Sequence, residues 1–149
     1  MKKIKIISEE FVKVVIIKYL SKNQWGRNLQ FGNLTDKGVD IKVRHNNYSR
    51  YFFIECKGEG SAQSKSRRSQ NETHFIYGLG QIITRMNVGG ARYYYGLGLP
   101  ELSAKIAIRR LPWQVAKKLL FYIFSVNADG VVKKYSWQDL KNYQTTKNK

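Results

Sequence analysis

Apolar and polar residues alternate along the chain with two different periods, which predict helices in some stretches and strands in others. Apolar side chains cover most of a helical surface between residues 8 and 20, and Ser8 precedes two acidic residues, as at many helix N-termini. Three runs with strand character follow, separated by turn residues, at residues 25–31, 39–44 and 51–57. Residues 58–71 lack periodicity and are rich in Ser, Gly and Gln, which predicts a mobile loop.

The second half of the chain continues the alternation. Its predicted elements are a helix at residues 74–86, a strand at 91–99, a helical stretch at 101–120 broken at Pro112, and a hairpin at 121–126 and 131–135. Ser136 and Asp139 have the spacing of a capping box for a last short helix, and the basic tail at 144–149 is predicted to fray. We therefore expect one α/β domain, with a core at about 8–99 and a C-terminal elaboration at about 100–143.

Composition indicates a class of partner and excludes several kinds of site. The 149 residues include 27 Lys and Arg against 10 Asp and Glu, a net charge of +17, which makes nucleic acid the first partner to consider. One cysteine, Cys56, and two histidines, His45 and His74, exclude a disulfide framework and a structural zinc site. Charged residues interrupt the apolar stretches near the N-terminus, so we expect no secretory signal, no membrane partner and a cytoplasmic location.

Candidate chemistry lies at the end of the third predicted strand. Glu55 and Lys57 are two positions apart and therefore share one face of that strand, where burying unpaired charges is costly. Asp40, in the preceding strand, comes within reach of Glu55 if the two strands pair. Two carboxylates, a backbone carbonyl such as that of Cys56, and water or phosphate oxygens suit Mg²⁺, with Mn²⁺ able to substitute.

These residues resemble the motif of the PD-(D/E)xK nuclease superfamily, which has the restriction-endonuclease-like fold. Asp40 follows Gly38 and Val39, at a place where the family often has Pro before the acid, and Glu55-Cys56-Lys57 begins fifteen positions after Asp40. The resemblance extends to Gln81 in the next helix, as in the Mrr-like branch, and to a first-turn acid of the first helix, Glu9 or Glu10. It covers about residues 8–99 and implies an αβββαβ core with a mixed central sheet flanked by helices.

The resemblance also implies a function, that of a metal-dependent DNA endonuclease leaving 5′-phosphates. Asp40 and Glu55 would hold the metal, Lys57 would position or activate water, and Gln81 would orient these groups or a phosphate, with Glu9 as a further ligand. The basic residues of the predicted loop, Lys65, Arg67 and Arg68, are expected to contact the DNA backbone. One subunit has one such site, so cutting both strands would need a homodimer.

Other interpretations of the sequence stay open. The acids and Lys57 could form a structural salt-bridge cluster, and the positive charge could belong to a non-catalytic nucleic-acid-binding module or a protein of ribosomes or anionic membrane surfaces. The Tyr93–Tyr95 run is expected to pack within the sheet, with one ring free to stack on a base. The glycine pairs near residues 78 and 96 lack the strand-glycine-helix context of a phosphate loop, so we expect no nucleotide cofactor.

Overall fold

The sheet and its helices were established from a computed structural model, which describes residues 6–26, 40–59, 67–86 and 93–147. The helices are α1 (Glu9–Lys22), α2 (Arg67–Thr84), α3 (Glu101–Arg110), α4 (Trp113–Leu119) and α5 (Trp137–Lys147). The strands are β1 (Ile41–Arg44), β2 (Tyr51–Cys56), β3 (Tyr93–Pro100), β4 (Phe121–Val126) and β5 (Val132–Tyr135).

The five strands form one mixed sheet in the order β1-β2-β3-β4-β5. The inner pairs β2–β3 and β3–β4 are parallel, and the outer pairs β1–β2 and β4–β5 are antiparallel. Ile41 lies opposite Ile54 in the β1–β2 pair, so the antiparallel register directs residues 40 and 55 toward each other. This register positions the candidate site described below.

Helices cover both faces of the sheet and enclose two apolar cores. On one face, α1 packs Val12, Ile16 and Leu20 against β2 and β4. Helices α2, α3, α4 and α5 cover the opposite face over the side chains of β3 and β4. Close packing of α1 depends on Gly98, because a Cβ there would lie 2.3 Å from the Cδ1 atom of Ile16 and 3.0 Å from the sulfur of Cys56.

Most of the predicted elements are confirmed. The hydroxyl of Ser8 accepts a 3.0 Å hydrogen bond from the backbone N–H of Phe11 and caps α1. The helical stretch around Pro112 is divided into α3 and α4, because proline cannot continue the backbone ladder. The hairpin turns at Gly130, whose φ of +80° suits glycine. In the predicted capping box, the N–H of Ser136 donates to a carboxylate oxygen of Asp139 at 2.8 Å.

The predicted loop at residues 58–71 is wrong over its last part. Helix α2 begins at Arg67 rather than near residue 74, so Arg67 and Arg68 belong to its first turn. A tertiary contact helps to explain the longer helix: Asn71 is buried, and its side-chain oxygen accepts a 3.2 Å hydrogen bond from the hydroxyl of Ser103 in α3. The Ser, Gly and Gln content of residues 58–71 hides a helix start that packing against α3 stabilises.

The predicted fraying of the tail is also wrong as far as residue 147. Helix α5 continues to Lys147 because Gln144 joins three helices. Its amide nitrogen donates to the carbonyls of Ile108 and Leu111 at 2.9 and 2.6 Å, and its amide oxygen accepts from the N–H of Trp113 at 3.1 Å. The side chain thus satisfies backbone groups at the end of α3 and the start of α4.

Several predictions fall partly or wholly outside the described residues. Most of the predicted strand at 25–31 lies there, and Trp25 itself forms an isolated antiparallel bridge with His45. Lys65 and Val39 also lie outside the described ranges. Among the helices that the described ranges contain, none has the length and apolar character needed to cross a bilayer.

Candidate active site

Asp40 and Glu55 come together at the end of the β1–β2 pair, as the sequence predicts. The carboxyl group of Asp40 lies close enough to that of Glu55 to raise its pKa, and the antiparallel register places residues 40 and 55 opposite each other. The other side of Asp40 is fixed to the same strand end, because its Oδ2 atom accepts a 2.8 Å hydrogen bond from the backbone N–H of Cys56. The two acids therefore lie beside each other at the end of the strand pair.

Burial makes Glu55 an unusual acid. The residue is 4% exposed. Its pKa is raised from 4.5 to about 7, chiefly by desolvation and also by the neighbouring charge of Asp40, while Arg85 and Lys57 act in the opposite direction. Glu55 is therefore poised to exchange a proton or a cation near neutral pH.

Arg85 forms a close ion pair with Glu55. Its Nη1 atom donates to Oε2 of Glu55 at 2.8 Å, and the arginine side chain is 36% exposed whereas that of Glu55 is 5% exposed. Arg85 directly follows the end of α2. One carboxylate oxygen of the acid pair is thus occupied by a cation that the chain itself supplies.

Lys57 lies at the same end of the sheet, between the start of α1 and the middle of α2. Its ammonium is 4.0 Å from Oε1 of Glu9, a loose ion pair, and 5.0 Å from the centre of the Tyr77 ring. The Lys57 side chain is 16% exposed and that of Glu9 is 53% exposed. Glu9 is the first-turn acid of α1 that contacts this lysine.

The backbone at Gly58 holds α1 beside the acid pair. A Cβ at Gly58 would lie 2.5 Å from the backbone nitrogen of Glu9 and 3.0 Å from the carbonyl carbon of Ser8. The Gly58 carbonyl also lies 2.9 Å from Nδ1 of His74 in α2. The close approach at Gly58 therefore connects the end of β2 to both flanking helices.

Gln81 lies on the side of α2 that also carries Tyr77, which contacts Lys57 of this site. Tyr77, Gln81 and Arg85 are spaced four residues apart and so follow one another along one side of the helix. Tyr77 contacts Lys57, and Arg85 contacts Glu55. Gln81 therefore lies between two residues that contact the site. Among the described residues, its amide oxygen is buried without a hydrogen-bond partner, which is costly unless a further group binds there.

Cys56 takes part through its backbone. Its side chain points to the α1 face and is fully buried, and desolvation raises the pKa of the thiol well above its usual 9.0. The thiolate is therefore disfavoured as a metal ligand. Any ligand from this residue would be its carbonyl oxygen.

The donor set fits a hard divalent cation. Within the described residues, no cluster of three His, Cys, Asp or Glu side chains is able to hold a metal ion. Mg²⁺ needs fewer, because it is commonly bound by one or two carboxylates and completes its shell with water and substrate phosphate oxygens. The Asp40–Glu55 pair meets that requirement, and a cation bound there would relieve the repulsion between the two acids.

Comparisons with known proteins support the fold. No protein-family model and no curated protein sequence matches this chain. Among solved structures, it is similar to an XisH family protein from Nostoc punctiforme PCC 73102, with a TM-score of 0.52 and 15% identity over 85% of this chain and 98% of that chain. The fold is α/β, with a five-stranded mixed sheet flanked by helices, and is consistent with a restriction-endonuclease-like fold.

Two residues of the site, Arg85 and Tyr77, are not among the sequence-predicted candidates. Helical spacing could have identified both, since they lie four residues after and before Gln81. The basic candidates of the predicted loop contribute no described contact to the site: Lys65 lies outside the described residues, and only the backbone positions of Arg67 and Arg68 are described. Their contact with DNA stays a prediction.

Proposed function

We propose that this protein is a Mg²⁺-dependent DNA endonuclease of the PD-(D/E)xK superfamily, with Asp40, Glu55 and Lys57 at its active site. The observation that carries the proposal is the proximity of the two carboxyl groups across the β1–β2 pair, at the strand end that also carries Lys57. A buried acid pair of this kind is unfavourable for folding, because like charges repel and desolvation penalises both. Such a cost is common at sites that bind a cation.

Each residue has a distinct part in the proposal. Asp40 and Glu55 would hold the cation, which supplies charge neutralisation at the phosphate and lowers the pKa of a water molecule. Lys57 would hold the water or the phosphate oxygens at the edge of the sheet, where its ammonium is held loosely enough to change partners. Glu9 would orient Lys57. The side-chain amide of Gln81 would accept a hydrogen bond from the substrate or donate one to it.

The charge of the chain supports a polyanionic substrate. The net charge of +17 is self-repulsive in the absence of a polyanion or counterions. DNA would supply both the phosphate backbone and the scissile bond. Binding should weaken steeply with salt, because each neutralised phosphate adds about −0.9 to the slope of log K against log salt.

A second candidate function is non-catalytic nucleic-acid binding. The observation that favours it is the 2.8 Å contact of Arg85 with Glu55, which occupies one oxygen of the acid pair with a side chain of the protein. In that case the acids and Arg85 would be a structural network, and the positive surface alone would have a function. The two candidates differ in whether any divalent cation brings about cleavage.

The test is nicking of supercoiled plasmid with Mg²⁺, with Mn²⁺ and with a chelator, using wild type, Glu55→Gln and Lys57→Ala. The proposal predicts nicking that needs the cation and falls by at least about 100-fold in both variants. Lys133→Gln serves as the matched loss of positive charge away from the site. Metal-independent nicking, or nicking that both variants retain, would contradict the proposal, and binding without cleavage under either metal would support the second candidate.

A further inference from the structure

A cavity lies on the α1 face of the sheet, near the starts of the parallel strands. It has a volume of about 410 Å³, within the range of cavities that hold small ligands. Phe52 lines it, three positions before Glu55 on β2 and on the opposite face. The cavity is therefore about 10 Å along the strand from the acid pair, by the rise of an extended chain.

Aromatic rings form most of the cavity wall. Trp25, Tyr94 and Tyr122 surround the ring of Phe52 at centroid distances of 5.2, 5.9 and 5.3 Å. Tyr48 also lines the cavity and is 64% exposed, which is high for a large aromatic side chain. A rigid set of rings around an open space favours a planar, aromatic ligand.

The formally charged side chains of the cavity are cationic. Arg50 and Lys134 line it, and no carboxylate is among the described residues that do so. The ammonium of Lys134 lies 4.7 Å from the centre of the Tyr122 ring and 5.8 Å from that of Phe52. Although the residue as a whole is accessible to solvent, desolvation of this ammonium lowers its pKa below the usual 10.5.

We infer that this cavity binds one nucleotide unit, with the base stacked among Trp25, Tyr48 and Tyr94 and the phosphate beside Arg50 and Lys134. Stacking on aromatic side chains and contact with a basic groove are the two interactions by which proteins hold single-stranded nucleic acid. The unit could be a free nucleotide or a nucleotide within a single strand. This site is separate from the acid pair and does not depend on nuclease activity.

Tryptophan fluorescence gives a direct readout. Trp113 and Trp137 stack on each other at 6.0 Å in the core on the opposite face of the sheet, so a ligand in the cavity should quench Trp25 alone. We would titrate the full chain in a chelator with dTMP and with hexathymidylate, exciting at the tryptophan band. Quenching should occur in wild type and in Glu55→Gln, and it should be absent in Trp25→Phe.

The two ligands distinguish the sources of the nucleotide. Quenching by dTMP supports a free nucleotide, and quenching only by hexathymidylate supports a nucleotide held within a strand. Thymidine and inorganic phosphate are the controls for the base and the phosphate. If either control quenches or competes as well as the nucleotide, or if neither nucleotide ligand quenches Trp25, the inference is wrong.

Substitutions at the cavity rim distinguish binding in this cavity from nonspecific attraction by the positive charge of the protein. Tyr48→Ala should weaken binding of hexathymidylate by roughly 10-fold or more, because it removes one stacking surface. Lys134→Gln should lower the salt slope of binding by about 0.7, the contribution of one contact with a single strand. Lys133→Gln, on the other face of β5, removes the same charge and should change the affinity little. Equal effects of Lys133→Gln and Lys134→Gln would contradict a built site.

Discussion

The guanidinium of Arg85 lies 2.8 Å from Oε2 of Glu55, and this ion pair connects the end of α2 to the acid pair at the end of β2. It gives the site a cation of its own. A divalent cation that binds the same carboxylates has to compete with this contact, because two positive charges at one oxygen repel each other. The Arg85 guanidinium would therefore weaken metal binding as long as its contact with Glu55 is intact.

Removing the Arg85 charge should therefore strengthen cation binding. Arg85→Gln is expected to raise the affinity for Mn²⁺ by on the order of 10-fold, the effect of about 1.4 kcal/mol. Isothermal titration with Mn²⁺ measures this without any cleavage. Arg109→Gln, an exposed arginine of α3, is the matched control. An unchanged or weaker affinity in Arg85→Gln would mean that the arginine does not compete for the acids.

The raised pKa of Glu55 predicts a pH dependence of stability. Because the folded pKa of about 7 lies above the ordinary value of 4.5, the folded state binds more protons than the unfolded state between these pH values. The contribution of Glu55 to stability is therefore largest below about pH 4.5 and is lost as the pH rises through about 7. Its full loss corresponds to roughly 3 kcal/mol.

Urea unfolding at several pH values in a chelator tests this linkage. The difference in free energy of unfolding between wild type and Glu55→Gln should change by up to about 3 kcal/mol between pH 5 and pH 8, with wild type relatively less stable at pH 8. The glutamine variant removes the titration and keeps the size of the side chain. A pH-independent difference between the two proteins would contradict the assignment.

Much of this site was predictable because it depends on local sequence pattern. Alternation in β2 places Glu55 and Lys57 on one face, and antiparallel pairing with β1 brings Asp40 opposite Glu55. Helical spacing places Arg85 on the same side of α2 as Gln81, but nothing in its neighbours indicates that it pairs with a buried acid 30 positions earlier. Its role is set by how α2 lies on the sheet.

The errors in the predicted elements have a similar origin. The early start of α2 and the length of α5 depend on Asn71 and Gln144, which form hydrogen bonds with residues at least 31 positions away. Local composition around both residues favours loops, and tertiary contacts override it. The helix capped by Ser8 and the break at Pro112 were correct because short-range chemistry determines them.

Glycines near the site make a matched pair for testing its architecture. Gly58→Ala should lower the free energy of unfolding by about 1–3 kcal/mol, because the added Cβ would meet backbone atoms of Ser8 and Glu9. Gly80→Ala, in α2 with nothing within 4 Å of the added Cβ, should instead stabilise the protein by about 0.5–1 kcal/mol. Urea unfolding of both variants measures the contrast. Equal effects would show that the approach of α1 to Gly58 is not tight.

The two acids in the first turn of α1 provide a second matched pair. Glu9 contacts Lys57 at 4.0 Å, so Glu9→Gln should reduce the nicking rate by about 10-fold through a less well positioned ammonium. Glu10→Gln removes an equal charge from the neighbouring position of the same helix turn. Plasmid nicking at fixed Mg²⁺ compares them. If the two variants lose activity equally, the contact between Glu9 and Lys57 has no specific role.

Gln144 links helices far from the acid pair and should affect stability alone. Gln144→Ala leaves the carbonyls of Ile108 and Leu111 and the N–H of Trp113 without this partner, and the expected cost is about 1–3 kcal/mol. Gln138→Ala, at an exposed position of α5, is the control. Thermal unfolding measures both variants. A Tm equal to that of wild type would indicate that α5 holds its place without Gln144.

The most direct test of the central claim is the rate of plasmid nicking by Asp40→Asn in Mg²⁺, measured beside wild type on protein whose thermal unfolding shows it to be folded. This substitution keeps the size of the side chain and removes one carboxylate of the Asp40–Glu55 pair. The account predicts metal-dependent nicking by wild type and a loss of at least about 100-fold in the variant. A folded Asp40→Asn protein that nicks as fast as wild type would contradict it.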